Sequence, residues 1–365
     1  MEKLLHFIGT IFAMLTVVIF VGCNVVNHSE GLGESGTVYN LQVKSRQELL
    51  MGNGRMAMID SFLIIVSSGP DDICRIYDIY DNNKEICAYG KTGNGPGEFI
   101  QPLLTYAWNN EFGLNEMNKQ ELAILAIDKP NTGEAIVVHE EKRLKASYQK
   151  KKGEWTPTGY FITKLDSSHY VSLVGVEDGR FFSLSNSTLQ HIDYFGESPI
   201  KEDLPPIAAR NRLSGKIATY NGRMVFGTVK LPYLVSYKIC DEKMEKMWSL
   251  YYAETGYGVK NGDLLFDKDR ARGPLLDLKM DSKYIYALYL DQLLSDYDHY
   301  NVEKSTSNKI LVFDYDGNNV ACFNLGCRIQ EMAILPQGQK MYGLTQYPDF
   351  SLVEFVLPDE LYQSE

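Results

Sequence analysis

The stretch GKTGNGPGEFIQP, Gly90 to Pro102, holds Gly-Lys-Thr and four glycines, residue types that can wrap a nucleotide's phosphates in backbone N–H groups. The leading glycine of such a cradle would stand at position 85, where the chain has Glu85. A carboxylate there repels phosphate, and Pro96 with Gly97 breaks the helix that should follow. The stretch therefore reads as a turn and not as a nucleotide site. Other chemistry is equally thin. His139, His169, His191 and His299 lie far apart, and HEEKR at His139 to Arg143 has a Glu but no second His for zinc. Glu140 and Glu141 read as solvated charges beside Lys142 and Arg143. Asp314-Tyr315-Asp316-Gly317-Asn318 opens like a calcium loop yet lacks the bidentate Glu farther on, so it reads as a hairpin turn. No Gly-x-Ser-x-Gly elbow offers a nucleophile. No catalytic residue, metal or cofactor is assigned.

Residues that do no visible chemistry still have an address. The N-terminus, MEKLLHFIGTIFAMLTVVIFVGCN, is apolar from Leu4 to Gly22 and then meets Cys23. Such a run is a secretion signal or a membrane anchor, since its length approaches that needed to span a bilayer. Gly22 before Cys23 resembles a bacterial lipobox, which implies cleavage after residue 22 and a diacylglycerol on the Cys23 thiol. Residues 1–22 are then a signal peptide and 23–36 a polar tether. The expected location is the cell envelope, lipid-anchored in the outer membrane and facing the periplasm, with the cell surface as the alternative. A net charge of −11 and no basic stripe exclude a phosphate backbone as partner, so no nucleic acid is expected. The remaining cysteines, Cys74, Cys87, Cys240, Cys322 and Cys327, are an odd, scattered set and no disulfide framework. Cys322 and Cys327 could meet or could simply be small buried strand residues.

The elements that must position any site come from internal repetition. IYDIYDNNKEICAYG (Ile76 to Gly90) aligns without gaps on VFDYDGNNVACFNLG (Val312 to Gly326), and FFSLSNSTLQHIDYFG (Phe181 to Gly196) shares the aromatic-Gly ending of the first. Each reads strand, tight turn, strand, Gly, with Asn and Gly supplying the positive φ of two-residue hairpins. Further hairpin patterns fill the intervals and helical periodicity is nearly absent. The spacing predicts an all-β, six-bladed propeller of four-stranded antiparallel blades over residues 37–358, with 359–365 as a tail. The last blade has sequence for only three strands, and Thr37 to Val43 is a free strand that could close the ring.

GNGPGEF, Gly93 to Phe99, after a strand ending in Tyr-Gly, looks like the Gly-Pro-Gly-x-Phe turn of NHL-type propellers. The motif occurs once, and the whole chain, lipobox included, more closely resembles the TolB-like six-bladed propeller lipoproteins of Bacteroidales. That resemblance implies an envelope protein. In such a ring the Gly-rich stretch is the crossing from one blade to the next, Phe99 packs between blades, and Glu98 and Lys91 face solvent or a neighbouring loop.

Loops joining second to third strands, and blade to blade, emerge at one end of the ring around the channel mouth. They carry the candidate ligand-binding residues Lys91, Arg210, Arg212, Lys230, Tyr233, Arg328 and Tyr347. Arg and Tyr suit anions, sugars and protein hot spots, and they also suit plain pairing with acidic neighbours. Residues 256–272 match no strand pattern and read as a lid or a surface insertion. Two functions fit: a monomeric, non-catalytic adaptor for an envelope protein, peptide or glycan, or a channel-mouth hydrolase or lyase using Arg, Tyr and His.

Overall fold

The computed structural model describes residues 36–362 except 50–53, 68–71, 117–118, 129–135, 147–159, 175–178, 201, 203 and 336–339, and the side chains of Tyr160, Pro206, Ile207 and Arg210. The signal, the tether and Cys23 lie outside the described residues. Among the described residues no helix is long and apolar enough to cross a membrane.

Six antiparallel sheets form the ring. Blade 1 runs Gly54–Ile59, Phe62–Ser67, Cys74–Asp78 and Lys84–Tyr89, and blade 2 runs Pro102–Trp108, Glu111–Glu116, Glu121–Asp128 and Val137–Lys145. Blade 3 takes Tyr160–Lys164, His169–Leu173, Phe182–Asn186 and His191–Phe195, and blade 4 takes Gly215–Tyr220, Arg223–Thr228, Tyr233–Cys240 and Lys243–Tyr251. Blade 5 holds Leu275–Met280, Ile285–Tyr289, Ser307–Phe313 and Asn319–Ile329, and blade 6 holds Glu331–Ile334, Lys340–Thr345 and Ser351–Val356. The first strands of successive blades neighbour one another, and that of blade 6 returns to that of blade 1.

Six apolar clusters make up the core, one at each junction between adjacent blades. Each sheet is thus apolar on both faces, so middle strands read as unbroken hydrophobic runs. FLIIVS at Phe62–Ser67 and IYALY at Ile285–Tyr289 are buried throughout. Fourth strands sit on the rim and carry the charge, as in VVHEEKRLK at Val137–Lys145. The three aligned segments are third strand, turn and fourth strand of blades 1, 5 and 3. Asn82 and Asn83 take φ of 53° and 52°, the left-handed turn that their types anticipate.

Closure uses two N-terminal strands. Ser45–Glu48 pairs antiparallel with Ser351–Glu354 and supplies the fourth strand of blade 6. Thr37–Leu41, inside the stretch expected to do this, instead runs parallel to Ala321–Leu325 as a fifth strand of blade 5. The strand partner lies one segment farther along because Gln42 to Lys44 steps across the blade junction. The C-terminus adds a latch at the end of the ring opposite the long loops. Tyr362 donates its hydroxyl to Asp281 Oδ2 at 2.9 Å, while Lys283 Nζ and the Tyr284 hydroxyl each donate to the Leu361 carbonyl at 2.8 Å. No disulfide joins any two of the five described cysteines, and Cys322 is buried in its strand.

Candidate functional site

The Gly90 crossing forms its own small structure. Lys91–Thr92 pairs parallel with Glu98–Phe99, and the Gly95 N–H donates to the Glu98 carboxylate at 2.7 Å. A carboxylate of the loop itself occupies the amide that a phosphate would need. Phe99 is fully buried between blades 1 and 2, beneath Gly90, with the Arg143 guanidinium 4.9 Å from its ring centre. Gly90 has φ 79°, and a Cβ there would lie 3.3 Å from the Phe99 ring. The left-handed backbone favours glycine, and a side chain there would also press on the Phe99 ring. Asp314 resolves in the same way. Its Oδ1 accepts the N–H groups of Asp316 and Asn318 at 3.0 and 2.8 Å, which caps a hairpin turn.

The seven candidate ligand residues lie in or beside several connections at one end of the ring. Lys91 and Lys230 are exposed, and Tyr347 is 61% exposed. Arg212 makes a bidentate pair with Asp263, at 2.9 and 2.6 Å. Its position comes from a short helix, Pro206–Arg212, where a loop was expected; Pro206 presets the first turn and Ala208 and Ala209 favour continuation. Arg210 sits on that helix. Residues 256–272 include a hairpin, Tyr257–Lys260 with Asp263–Phe266, whose Leu264 packs with Ala209 and Leu213 of the helix region. Tyr233 is buried in blade 4 with its ring 5.2 Å from that of Tyr251, and burial raises its phenol above the ordinary range. Arg328 donates Nε–H to the Thr306 carbonyl at 3.0 Å, tying two connections of blade 5. Burial lowers its guanidinium from the usual value.

The histidines serve local pairs. His139 meets Asp128 at 3.1 Å, and His169 meets Asp166 at 3.0 Å. His191 Nδ1 lies 2.9 Å from Ser183 Oγ, and its ring stacks on Tyr194; burial lowers its pKa, while Ser183 is wholly buried and out of reach of a substrate.

What the motif search missed is the channel. A cavity of about 320 Å³ lies on the ring axis, lined by the first strands from their midpoints to the turns that follow, including Tyr106, Trp108, Ile217, Thr219, Leu278 and Lys279. Lys164 stands at its far end, paired with Glu111 and 4.5 Å above the Trp108 ring. Toward the long-loop end the same strands carry a charged collar of Arg55, Lys216, Asp277, Lys279 and Glu331, contributed by blades 1, 4, 5 and 6. Lys279 Nζ lies 3.4 Å from Asp277 and 4.0 Å from Glu331, and Lys216 Nζ is 3.8 Å from Glu331. Arg55 stacks 5.3 Å over Phe161 of blade 3. Burial, then Arg55, pulls the Lys216 ammonium down to about 8; burial, then Asp277, pushes Glu331 up. A visible trace existed in sequence: GRMAMI, GKIATY, LLDLKM and EMAI each set a charge into a strand that is otherwise largely apolar.

Known proteins agree with this architecture. A member of the DUF4221 family from Bacteroides vulgatus superposes with a TM-score of 0.51 at 11% identity, covering 87% of this chain and 97% of that one. A protein described as exported, from Bacteroides fragilis, gives 0.51 at 12% identity, covering 88% and 99%. At these identities the likeness is one of fold. No curated protein matches in sequence. The sequence pattern of the TolB-like 6-blade propeller-like family, however, matches residues 36–335, and the chain therefore belongs to that family.

Proposed function

We propose that this chain is a lipid-anchored envelope protein whose propeller acts as a non-catalytic binding scaffold for a protein, peptide or glycan. Cys23 carries the anchor, and the likeness to an exported Bacteroides protein supports an envelope address. The observation that carries the scaffold reading is the unequal use of the two ends of the ring. Among the described residues one end has short turns, such as those at 60–61, 109–110, 221–222 and 241–242, and the C-terminal latch at Asp281. The other gathers the helix and hairpin around Arg212 and Asp263, the Gly90 crossing and the turns bearing Lys230 and Tyr347, and leaves Lys91, Lys230 and Tyr347 exposed. Loops held by a closed β framework lose little entropy on binding, which favours recognition.

The test is photo-crosslinking in cells, with a photoreactive residue placed singly at Lys91, Lys230 or Tyr347, and at Tyr80, in the turn between the third and fourth strands of blade 1, for the opposite end. A discrete adduct from the first three and none from Tyr80 is expected. The same adducts from both ends, or none from the loop end, would count against the reading.

A further inference from the structure

The collar in the channel throat is short of negative charge. Among the described residues the only counter-charges that Arg55, Lys216 and Lys279 face are Asp277 and Glu331, and Lys279 Nζ also donates to the Met56 carbonyl at 3.1 Å. Asp277 is already committed: Oδ1 accepts the Leu278 N–H at 2.9 Å, and Oδ2 accepts the Met332 N–H at 3.0 Å while facing Lys279. Glu331 touches both lysines only at long range, and its Oε2 is buried without a hydrogen-bond partner. Among the described residues Arg55 forms no ion pair; its guanidinium rests on the Phe161 ring. Arg55 and Lys216 belong to blades 1 and 4, which stand opposite each other in a six-membered ring, so two cations approach one throat from opposing walls. Three partly buried cations sharing two carboxylates are costly, and a charge-assisted hydrogen bond to an outside anion relieves that cost.

We propose that the throat binds a small organic carboxylate, its anionic group held among Arg55, Lys216 and Lys279 and its uncharged body lying in the cavity beneath. Lys279 borders both regions, since it joins the collar and lines the cavity of about 320 Å³. The walls directly below it, with Ile217, Leu278, Met280, Ile334 and the rings of Tyr106 and Trp108, suit an apolar or ring-shaped body, while Asp60, Lys164 and Asp281 line the far end. Glu331 is screened from the ligand by the two lysines, which stand 3.8 and 4.0 Å from its two oxygens, and burial and Asp277 raise its pKa. The site is separate from the exposed loop residues and stands or falls independently of them.

Calorimetry on the full chain in detergent, with a detergent-only control, tests this with acetate, hexanoate and inorganic phosphate. Hexanoate should bind at least about ten-fold more tightly than acetate, because its chain leaves water for the cavity. Binding should weaken by about ten-fold as pH rises well past 8, where the Lys216 ammonium loses its proton. Lys216→Met and Arg55→Gln should each weaken it by a similar factor at neutral pH, with near-ultraviolet circular dichroism reporting the fold. If either variant fails to fold, the wild-type ligand series and its pH profile decide alone. Phosphate binding more tightly than hexanoate, no binding of either carboxylate, or affinity unchanged through pH 8 would overturn the proposal.

Discussion

Lys216 enters the channel from a strand that is mostly backbone and methyl groups, and its side chain is only 16% exposed. Its folded-state pKa is lowered to about 8 from 10.5, so between those values the unfolded chain holds a proton that the folded chain has released. Stability contributed by this group therefore rises with pH from about 8 to about 10.5 and is flat below that window. Urea unfolding of wild type against Lys216→Met should show a difference that grows in favour of wild type across the window, and a constant difference would refute the placement. Phe99 makes a packing prediction in the same key. It is fully buried under Gly90, and Phe99→Ala should cost about 3–5 kcal/mol, read from the shift in denaturation midpoint. Phe99 was legible in sequence because its motif states a position between blades. Arg55 and Lys216 were not, because a lone charge in a strand has no local partner and its meaning arises only when four blades meet.

At the scale of elements, fourth strands end in a turn back to the next blade, and glycine sets that turn where an aromatic lies beneath. Gly196 has φ 81° and a Cβ there would come within 2.3 Å of the Phe182 ring. Gly179 has nearly the same φ, 82°, but nothing within 4 Å. Gly179→Ala should thus cost only the left-handed backbone penalty, about 1 kcal/mol, whereas Gly196→Ala should cost several times more because Phe182 must also move. Equal losses in thermal unfolding would show that the ring contact carries no weight. Strand order and hairpins were readable because the turn residues, Asn82, Asn83 and Gly317, declare positive φ in their own chemistry. The helix at Pro206–Arg212 and the hairpin at Tyr257–Phe266 were not. Each is too short for its own periodicity and is held by the other, through Leu264 on Ala209 and Asp263 on Arg212.

For the whole molecule the decisive property is a ring with no open junction. Two N-terminal strands and the C-terminal latch bring distant ends of the chain together, and the Tyr362 hydroxyl on the buried Asp281 carboxylate is the latch's polar centre. Tyr362→Phe removes a hydrogen bond to a charged or polar buried group and should lower stability by about 1–3 kcal/mol without altering the loop end. The ring number and the need for an N-terminal closing strand followed from counting strands, while which strand closes the ring depended on how three residues cross a junction. The central claim, a scaffold that binds through its loop end, is tested most directly by quantitative co-purification from cross-linked cells. Wild type would be compared with a Lys91→Glu, Lys230→Glu, Tyr347→Ala triple variant and with Tyr80→Ala as a control at the other end. The account predicts a stoichiometric companion retained by wild type and Tyr80→Ala and lost by the triple variant. A companion held equally by all three would contradict it.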